Sequence, residues 1–478
     1  MNKNKLWDII IELRKENKEL REELAYVKFE LEELRSKRYK SKHKGPPNDP
    51  GSPVPCAPKK RGGLFGHLGW FRRKPVKIDR IEEVKLTRCP ECGSKDISEC
   101  NKIDEHLQED ITLPKVEAVL YRRYHYYCRQ CKKVVSKKGK DELANSYIGP
   151  KAKALAAFLR YGIKISERDC KALFEKAFNL KIVASSIAGF RDQLKKAGLP
   201  LYQALIKSLK TESFIHADET GWKVNGDNHW LWKFSNKKVC VSHIDRSRGQ
   251  KVVEKIVGDK YDGVLISDFL SAYNKIKARG KQRCLIHILR DLEKVVEYWR
   301  DDRQVLGYCK HLKDIFEDAI KLQKEYMDKE WDDRYCRKRE LLSQELEDFS
   351  FPNPNKRILK RFAKRLGRHK EELFTFLYEK DIDYHNNHAE QQIRPDVIFR
   401  KITFGNRSVK GVENHNVLMS ILQTAKLNGL DPLATLENIL LSANKNLLPQ
   451  ALAPPLSEGT FSFLRPCSKI NPLASVIA

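Results

Sequence analysis

Residues 6–34 carry apolar side chains in a seven-residue repeat. The two core positions of the heptad are filled by Leu6, Leu13, Leu20, Val27 and Leu34 and by Ile10, Asn17, Leu24 and Leu31. The flanking positions carry Glu16, Glu23 and Glu30 opposite Arg21, Lys28 and Arg35. A single Asn in the core favours two parallel strands. The pattern predicts a coiled-coil dimerisation helix over residues 1–40. A lone amphipathic helix docked on its own domain shows a similar stripe but leaves the charge pairs unused.

The seven-residue repeat of apolar positions does not continue into residues 41–75 or 141–210. Residues 41–75 are rich in Pro, Gly, Lys and Arg and show no sustained period, which predicts a basic linker. This linker fits either a strip along DNA phosphates or a solvated tether. Residues 141–210 place apolar side chains at helical spacing. They fit either a helix-turn-helix DNA reader, with two short helices joined near residues 164–167, or a plain helical packing layer.

From about residue 211 the pattern predicts an α/β domain that extends to residue 445. Short β-rich runs (SFIHADET, HWLWKFSN, VCVSHIDR) precede a helix-like stretch, a strand in VLISDFLSAY and another strand near RCLIHIL. Residues from about 290 to 380 return to a long, charged helical pattern and predict an all-helical insertion. Residues 446–478 form a tail without a structural signal.

Composition narrows the class of protein. A chain of 478 residues, with a hydrophobic fraction of 41%, is long enough for two or more folded units. Lys and Arg outnumber Asp and Glu by 92 to 64, a net charge of +28, which favours a polyanionic partner such as DNA. Because the chain has no run of about 18 apolar residues and no signal-peptide core, we expect a soluble, cytoplasmic protein that does not bind a membrane.

Four of the 12 cysteines form two close pairs, Cys89 with Cys92 and Cys128 with Cys131. Four thiolates suit tetrahedral Zn²⁺ and leave no open position, so the pairs predict one structural zinc ion in a module over residues 76–140. His106 and His125 lie between the pairs as substitute ligands. The alternative is two independent pairs of buried thiols.

Two aspartates follow apolar strands. Asp218 is predicted at the end of the strand that begins SFIHAD, and Asp268 at the end of VLISD. Two acids on adjacent strand ends repel each other unless a divalent cation lies between them, and hard oxygen ligands suit Mg²⁺ or Mn²⁺. On the pattern alone, a strand-end Asp is more often a helix cap or turn residue, and Glu390 carries less signal still.

Several motifs together resemble those of the insertion-sequence 66 transposases of bacteria. They are HADET at residues 216–220, DFLSAY at 268–273, NHAEQQIR at 387–394, RK at 400–401, FGN at 404–406 and TAKLNG at 424–429. The resemblance implies a ribonuclease H-like catalytic domain with a helical insertion between the second and third acids. It also implies that Asp218, Asp268 and Glu390 form a D-D-E triad that holds two Mg²⁺ (or Mn²⁺) ions.

Further basic residues follow the third acid, and Arg394, Arg400 and Lys401 are predicted to contact the DNA backbone; the alternative is a solvated basic helix face. Two features depart from the family pattern. Leu289 stands in Cys284-Leu-Ile-His287-Ile-Leu289-Arg290 where a basic residue is usual, and the tail after about Leu448 differs.

The resemblance thus implies a nucleoid-associated transposase. Such an enzyme cleaves transposon ends, joins the freed 3′-hydroxyl to target DNA, and acts as a homodimer or higher oligomer, with or without helper proteins. The rival interpretations are a non-catalytic, zinc-containing DNA-binding regulator and a nuclease of the same fold.

Overall fold

A computed structural model of the protein describes residues 15, 16, 19–31, 95, 116–122, 124–130, 133–136, 139, 141–143, 146–350 and 356–444. The predicted linker, the cysteines at 89, 92 and 131 and the C-terminal tail lie outside the described residues. Every helix in the described part of the chain is too short or too polar to cross a membrane.

The helix over residues 19–31, α1, packs on the main body through a face that is not its heptad face. Tyr26 and Phe29 are buried, and the Phe29 ring lies 5.5 Å from the Trp299 ring. The heptad core residues of this helix remain between 45% and 57% exposed; they are Leu20, Leu24, Val27 and Leu31. The apolar stripe is therefore not what docks α1 on its own chain.

A short antiparallel hairpin precedes the main helices. Strand β1 (His125–Cys128) pairs with β2 (Lys133–Ser136), so that Cys128 lies opposite Lys133. Arg129 and Gln130 lie in the turn. Cys128, one of the four predicted zinc ligands, therefore ends a strand next to a turn.

Three helices follow: α2 (Pro150–Phe158), which continues into a π-helical turn (Leu159–Ile163), α3 (Glu167–Ala177) and α4 (Ala184–Leu209). The Ser166 hydroxyl accepts a hydrogen bond from the backbone N–H of Asp169 and so caps α3. Phe174 and Ile187 belong to a small core between these helices. The second half of α4 joins the main core instead, through residues such as Leu205.

Five strands form one mixed sheet in the order β5-β4-β3-β6-β7. They are β3 (Phe214–Val224), β4 (Asp227–Ser235), β5 (Cys240–Asp245), β6 (Lys260–Ser267) and β7 (Lys277–Arg283). The first three pair antiparallel, whereas β3 with β6 and β6 with β7 pair parallel. Asn225 and Gly226 make the turn between β3 and β4 with positive φ, as a two-residue hairpin requires. The α/β prediction is confirmed.

Helices α11 (Asn387–Thr403) and α12 (Val409–Leu427) pack on this sheet, and α5 (Gln250–Val257) contributes to the same core. Helix α13 (Pro432–Asn444) packs on α2, α4 and α12. Helix α12 is buried from Asn414 to Ala425 although it carries many polar residues. These polar residues bind the edge strand β5, since Asn416, Ser420 and Thr424 accept from the backbone N–H groups of alternate β5 residues. The strand edge is thereby closed to further pairing.

Among the described residues between β7 and α11, which leave out 351–355, there are five α-helices: α6 (Leu285–Tyr298), α7 (Arg303–Glu325), α8 (Asp333–Ser350), α9 (Arg357–His369) and α10 (Thr375–Tyr378). The strand predicted near RCLIHIL lies earlier in the chain than this run, because β7 ends at Arg283 and the following residues begin α6. Leu285, Ile288, Leu292 and Val295 recur at helical spacing and bury one face of α6, which explains the difference.

Candidate active site

Asp218 lies in the middle of β3, not at its end as predicted. The strand extends to Val224 because it pairs with β4 along its whole later part. Its pairing with β6, in contrast, covers only Phe214 to His216. Asp218 is therefore two residues beyond the last β6 pair, in a part of β3 that pairs with only one of the named strands, β4.

Asp268 directly follows β6, next to this part of β3. Ile266 pairs with His216, so extending the parallel register brings Asp268 level with Asp218. The Asp268 carboxylate accepts a hydrogen bond from the Leu270 backbone N–H at 2.8 Å. Its carbonyl oxygen accepts from the buried Arg283 guanidinium at 2.7 Å. These contacts fix the backbone and one carboxylate oxygen of Asp268.

Glu390 lies in the first turn of α11, and the start of that helix is tied to β3. The Asn386 side chain is buried and donates to the carbonyl oxygen of Ala217 at 2.7 Å. Its oxygen lies 3.1 Å from His216 Nδ1. Because the Asn386 amide already donates to Ala217, its oxygen accepts here and Nδ1 carries the proton. Asn386 thus holds the turn that carries Glu390 against the residue before Asp218.

The rest of α11 is attached to β3 as well. Arg400 donates to the carbonyl oxygen of Gly221 and, at 3.2 Å, to the Thr220 hydroxyl. Beyond the helix end, Asn406 exchanges backbone hydrogen bonds with Lys223 and Asn225. Three separate contacts along β3 therefore fix the position of α11 along the strand and its rotation about its own axis.

Asp268 and Glu390 lie close enough to Asp218 to change the ionisation of its carboxyl. Burial raises the pKa of Asp218 well above its ordinary value, and the charges of Glu219, Asp268 and Glu390 raise it further. In the described part of the chain, no Lys or Arg forms an ion pair with Asp218, Asp268 or Glu390. A group of neighbouring, partly buried carboxylates without a Lys or Arg partner suits a divalent cation, which removes the repulsion.

Glu219 is a fourth buried acid, whose environment sequence reasoning missed. Its cross-strand neighbour is Trp232, whereas that of Asp218 is Lys233, so the two acids lie on opposite faces of the sheet. Glu219 accepts hydrogen bonds from Arg248 at 2.7 Å and from the Tyr273 hydroxyl at 2.9 Å. Burial and Asp268 nevertheless raise its pKa to about 7. Glu219 differs from Asp218 in that the side chains of Arg248 and Tyr273 donate hydrogen bonds to its carboxylate.

The three predicted DNA-binding residues differ in their surroundings. Arg394 and Lys401 are exposed on α11. Arg400 is half-buried, and its guanidinium is engaged with β3 as described above. Contact of these residues with DNA stays a prediction, and the two exposed residues are the better placed for it.

A fully buried charge network lies between β4, α11 and α12. The sequence alone does not predict it. Lys233 Nζ lies 2.7 Å from an Asp396 carboxylate oxygen, and His415 Nε2 lies 2.8 Å from the other oxygen. Lys233 also donates to the Gln423 side chain at 2.9 Å. The network joins β4, α11 and α12, and its Lys233 is the cross-strand neighbour of Asp218.

The fold is a mixed α/β sheet covered by helices, with Asp218, Asp268 and Glu390 brought together beside its central strand. Residues 145–414 match the family model described as "Transposase IS66 family". The chain belongs to this family, and the resemblance drawn from its motifs is confirmed. An uncharacterized protein of Sinorhizobium fredii, y4jD, is 23% identical over 419 residues, which cover 78% of this chain and 78% of that protein.

Proposed function

We propose that this protein is a DNA transposase that cleaves the ends of its element and joins the freed 3′-hydroxyl to target DNA. Membership of the family implies a role in transposition. The rise in the pKa of Asp218, caused by burial and by the charges of Glu219, Asp268 and Glu390, is the observation that carries the finer proposal, because a divalent cation among these acids would offset their repulsion.

The order of the elements supports a ribonuclease H-like catalytic domain. Three antiparallel strands are followed by two parallel ones, and the first acid lies on the central strand β3. The second acid follows the neighbouring strand, β6. The third is on α11, after the helices α6 to α10. The helical insertion thus separates the second acid from the third, as the family resemblance implies.

Asp218, Asp268 and Glu390 would hold the two Mg²⁺ or Mn²⁺ ions. Such ions, when bound, activate the attacking hydroxyl and neutralise charge on the leaving oxygen. The protein's contribution is preorganisation: Arg283 fixes the backbone at Asp268, and Asn386 fixes the start of α11 against β3. Arg394 and Lys401 would contact phosphates beside the site, and the overall positive charge adds to DNA affinity.

The N-terminal regions would assemble the enzyme on DNA. The exposed heptad residues of α1 support a parallel dimer through residues 1–40. The cysteines at 89, 92, 128 and 131 would hold one structural Zn²⁺.

An in vitro assay on the DNA that flanks the gene tests the proposal. Purified protein with Mg²⁺ should release 3′-hydroxyl ends and join them to a second DNA, and chelation should abolish both products. Cleavage without joining would make the protein a nuclease, and DNA binding without cleavage would make it a regulator. Either result refutes the proposal.

A further inference from the structure

A second cluster of metal-ligating side chains shares Glu390 with the carboxylate site. The donor atoms of Cys284, His287 and Glu390 all lie within 4.8 Å of one another. Donors bound to one tetrahedral zinc ion, at about 2.0–2.3 Å each, lie about 3.3–3.8 Å apart, within about 1.5 Å of the separations found here. Small side-chain rotations therefore suffice to close these three donors around one ion.

Cys284 is the buried residue that immediately precedes α6. Its sulfur accepts a hydrogen bond from the Asn386 backbone N–H at 3.3 Å. Burial raises the pKa of the Cys284 thiol, and the backbone N–H groups of Asn386 and His287 oppose this rise. The sulfur is thus oriented toward the start of α11, one turn before Glu390.

His287 follows one turn later on α6 and supplies an independent observation. Its Nδ1 atom is buried and, among the described residues, has no hydrogen-bond partner. A buried ring nitrogen without a partner is costly unless something binds it. A metal ion would satisfy it.

We propose that Cys284, His287 and Glu390 form a site for a soft divalent cation of the Zn²⁺ class. Thiolate and imidazole select such ions, whereas Mg²⁺ prefers oxygen ligands only. Binding releases the thiol proton to solvent and leaves one position of a tetrahedral ion open. If the proposed function holds, Glu390 cannot serve both sites at once, so that zinc bound here inhibits Mg²⁺-dependent cleavage.

Cobalt spectroscopy on the full-length chain tests this site. The protein is first saturated with one equivalent of Zn²⁺ to fill any four-thiolate site, and Co²⁺ is then titrated. Zinc-bound thiolates keep their ion, because zinc binds such ligands more tightly than cobalt does. The site should then give a near-ultraviolet thiolate-to-cobalt absorption band at one equivalent of Co²⁺.

Four variants make the outcome specific. Cys284→Ser should abolish the band, and His287→Ala should weaken cobalt affinity at least about tenfold through loss of a ligand. Cys336→Ser, which changes a partly buried cysteine on α8, should leave the band intact. Asp218→Asn should keep the band while Mg²⁺-dependent cleavage is lost, which separates this site from the proposed function.

No band in the unsubstituted protein, or a band that persists in Cys284→Ser, would overturn the proposal. Should Cys284→Ser fail to fold, as judged by its thermal unfolding, unchanged cobalt affinity in His287→Ala overturns it equally. Zinc inhibition, measured for each variant against its own zinc-free rate, should be lost in His287→Ala.

Discussion

Replacing Lys233 with Met should unfold the protein at a much lower denaturant concentration. Lys233 and Asp396 are both fully buried, with charged atoms 2.7 Å apart. Met has nearly the same length but no charge, so the Asp396 carboxylate would stay buried without its cation. Removing one partner of a buried ion pair costs about 3–5 kcal/mol.

The pH dependence of the unfolding free energy gives a second way to measure the contribution of this ion pair. Burial alone raises the pKa of Asp396, but Lys233 and His415 outweigh it and lower the pKa to about 2. A carboxyl whose folded pKa lies below its ordinary 3.8 contributes stability above that pH and loses it as the pH falls toward 2. At about 1.4 kcal/mol per pH unit, this contribution is about 2 kcal/mol. The gap between the unsubstituted protein and Lys233→Met should therefore narrow as the pH falls from about 4 toward 2.

Urea unfolding followed by tryptophan fluorescence measures both effects, since the Trp222 ring lies 4.8 Å from the His415 ring. Lys237→Met is the matched control. Lys237 is 71% exposed and pairs with an exposed Asp381 at 3.7 Å, so its loss should cost less than about 1 kcal/mol. Adding Asp396→Asn to Lys233→Met should restore part of the lost stability. Equal losses for Lys233→Met and Lys237→Met would refute the reasoning.

Three further predictions concern other parts of the chain. Residues 1–40 should be helical and dimeric in sedimentation, and Leu24→Glu should give monomers, because it places a charge in the heptad core. Cys89→Ser should lose one Zn²⁺ per chain in elemental analysis and unfold residues 80–140 in limited proteolysis. Glu219, with a folded pKa of about 7 against an ordinary 4.5, binds more protons folded than unfolded. Without Mg²⁺, stability measured by urea unfolding should therefore fall as pH rises from 4.5 through 7, by up to about 3 kcal/mol from Glu219 alone, and Glu219→Gln should lessen this slope to the part that Asp218 contributes.

Each of these three has an outcome that contradicts it. A monomeric 1–40 fragment at tens of micromolar would show that the stripe does not dimerise. Zinc content unchanged by Cys89→Ser would remove that residue from the metal site. An equal pH slope in Glu219→Gln would assign the titration to another group.

Local patterns carried the sequence predictions that succeeded. The β-rich runs SFIHADET, HWLWKFSN and VCVSHIDR predict strands where β3, β4 and β5 lie, and the apolar run VLISD predicts β6. The strand near RCLIHIL was placed too late in the chain because a short apolar run fits either a strand or the buried face of a helix. Asp218 was placed at a strand end because the extent of strand pairing depends on a partner strand that a local pattern does not reveal.

Contacts between residues far apart in the chain could not be predicted. Lys233 in a strand resembles a surface residue until Asp396 is found opposite it. Asn386 gives no signal by itself, since its role depends on the backbone of Ala217 in another element. The family motifs predict the triad, whereas the effect of Asp268 and Glu390 on the pKa of Asp218 depends on the packing of β3, β6 and α11.

The most direct test of the central claim compares cleavage rate and DNA affinity across four conservative variants: Asp218→Asn, Asp268→Asn, Glu390→Gln and Glu219→Gln. Each of the first three should lower Mg²⁺-dependent cleavage by about 10²–10³-fold or more, as loss of transition-state charge stabilisation does, while DNA affinity stays equal or rises. Glu219→Gln should lose less, because Glu219 lies on the other face and is held by Arg248 and Tyr273. Full activity in any triad variant, or Glu219→Gln as damaging as Asp218→Asn, would contradict the assignment of these acids.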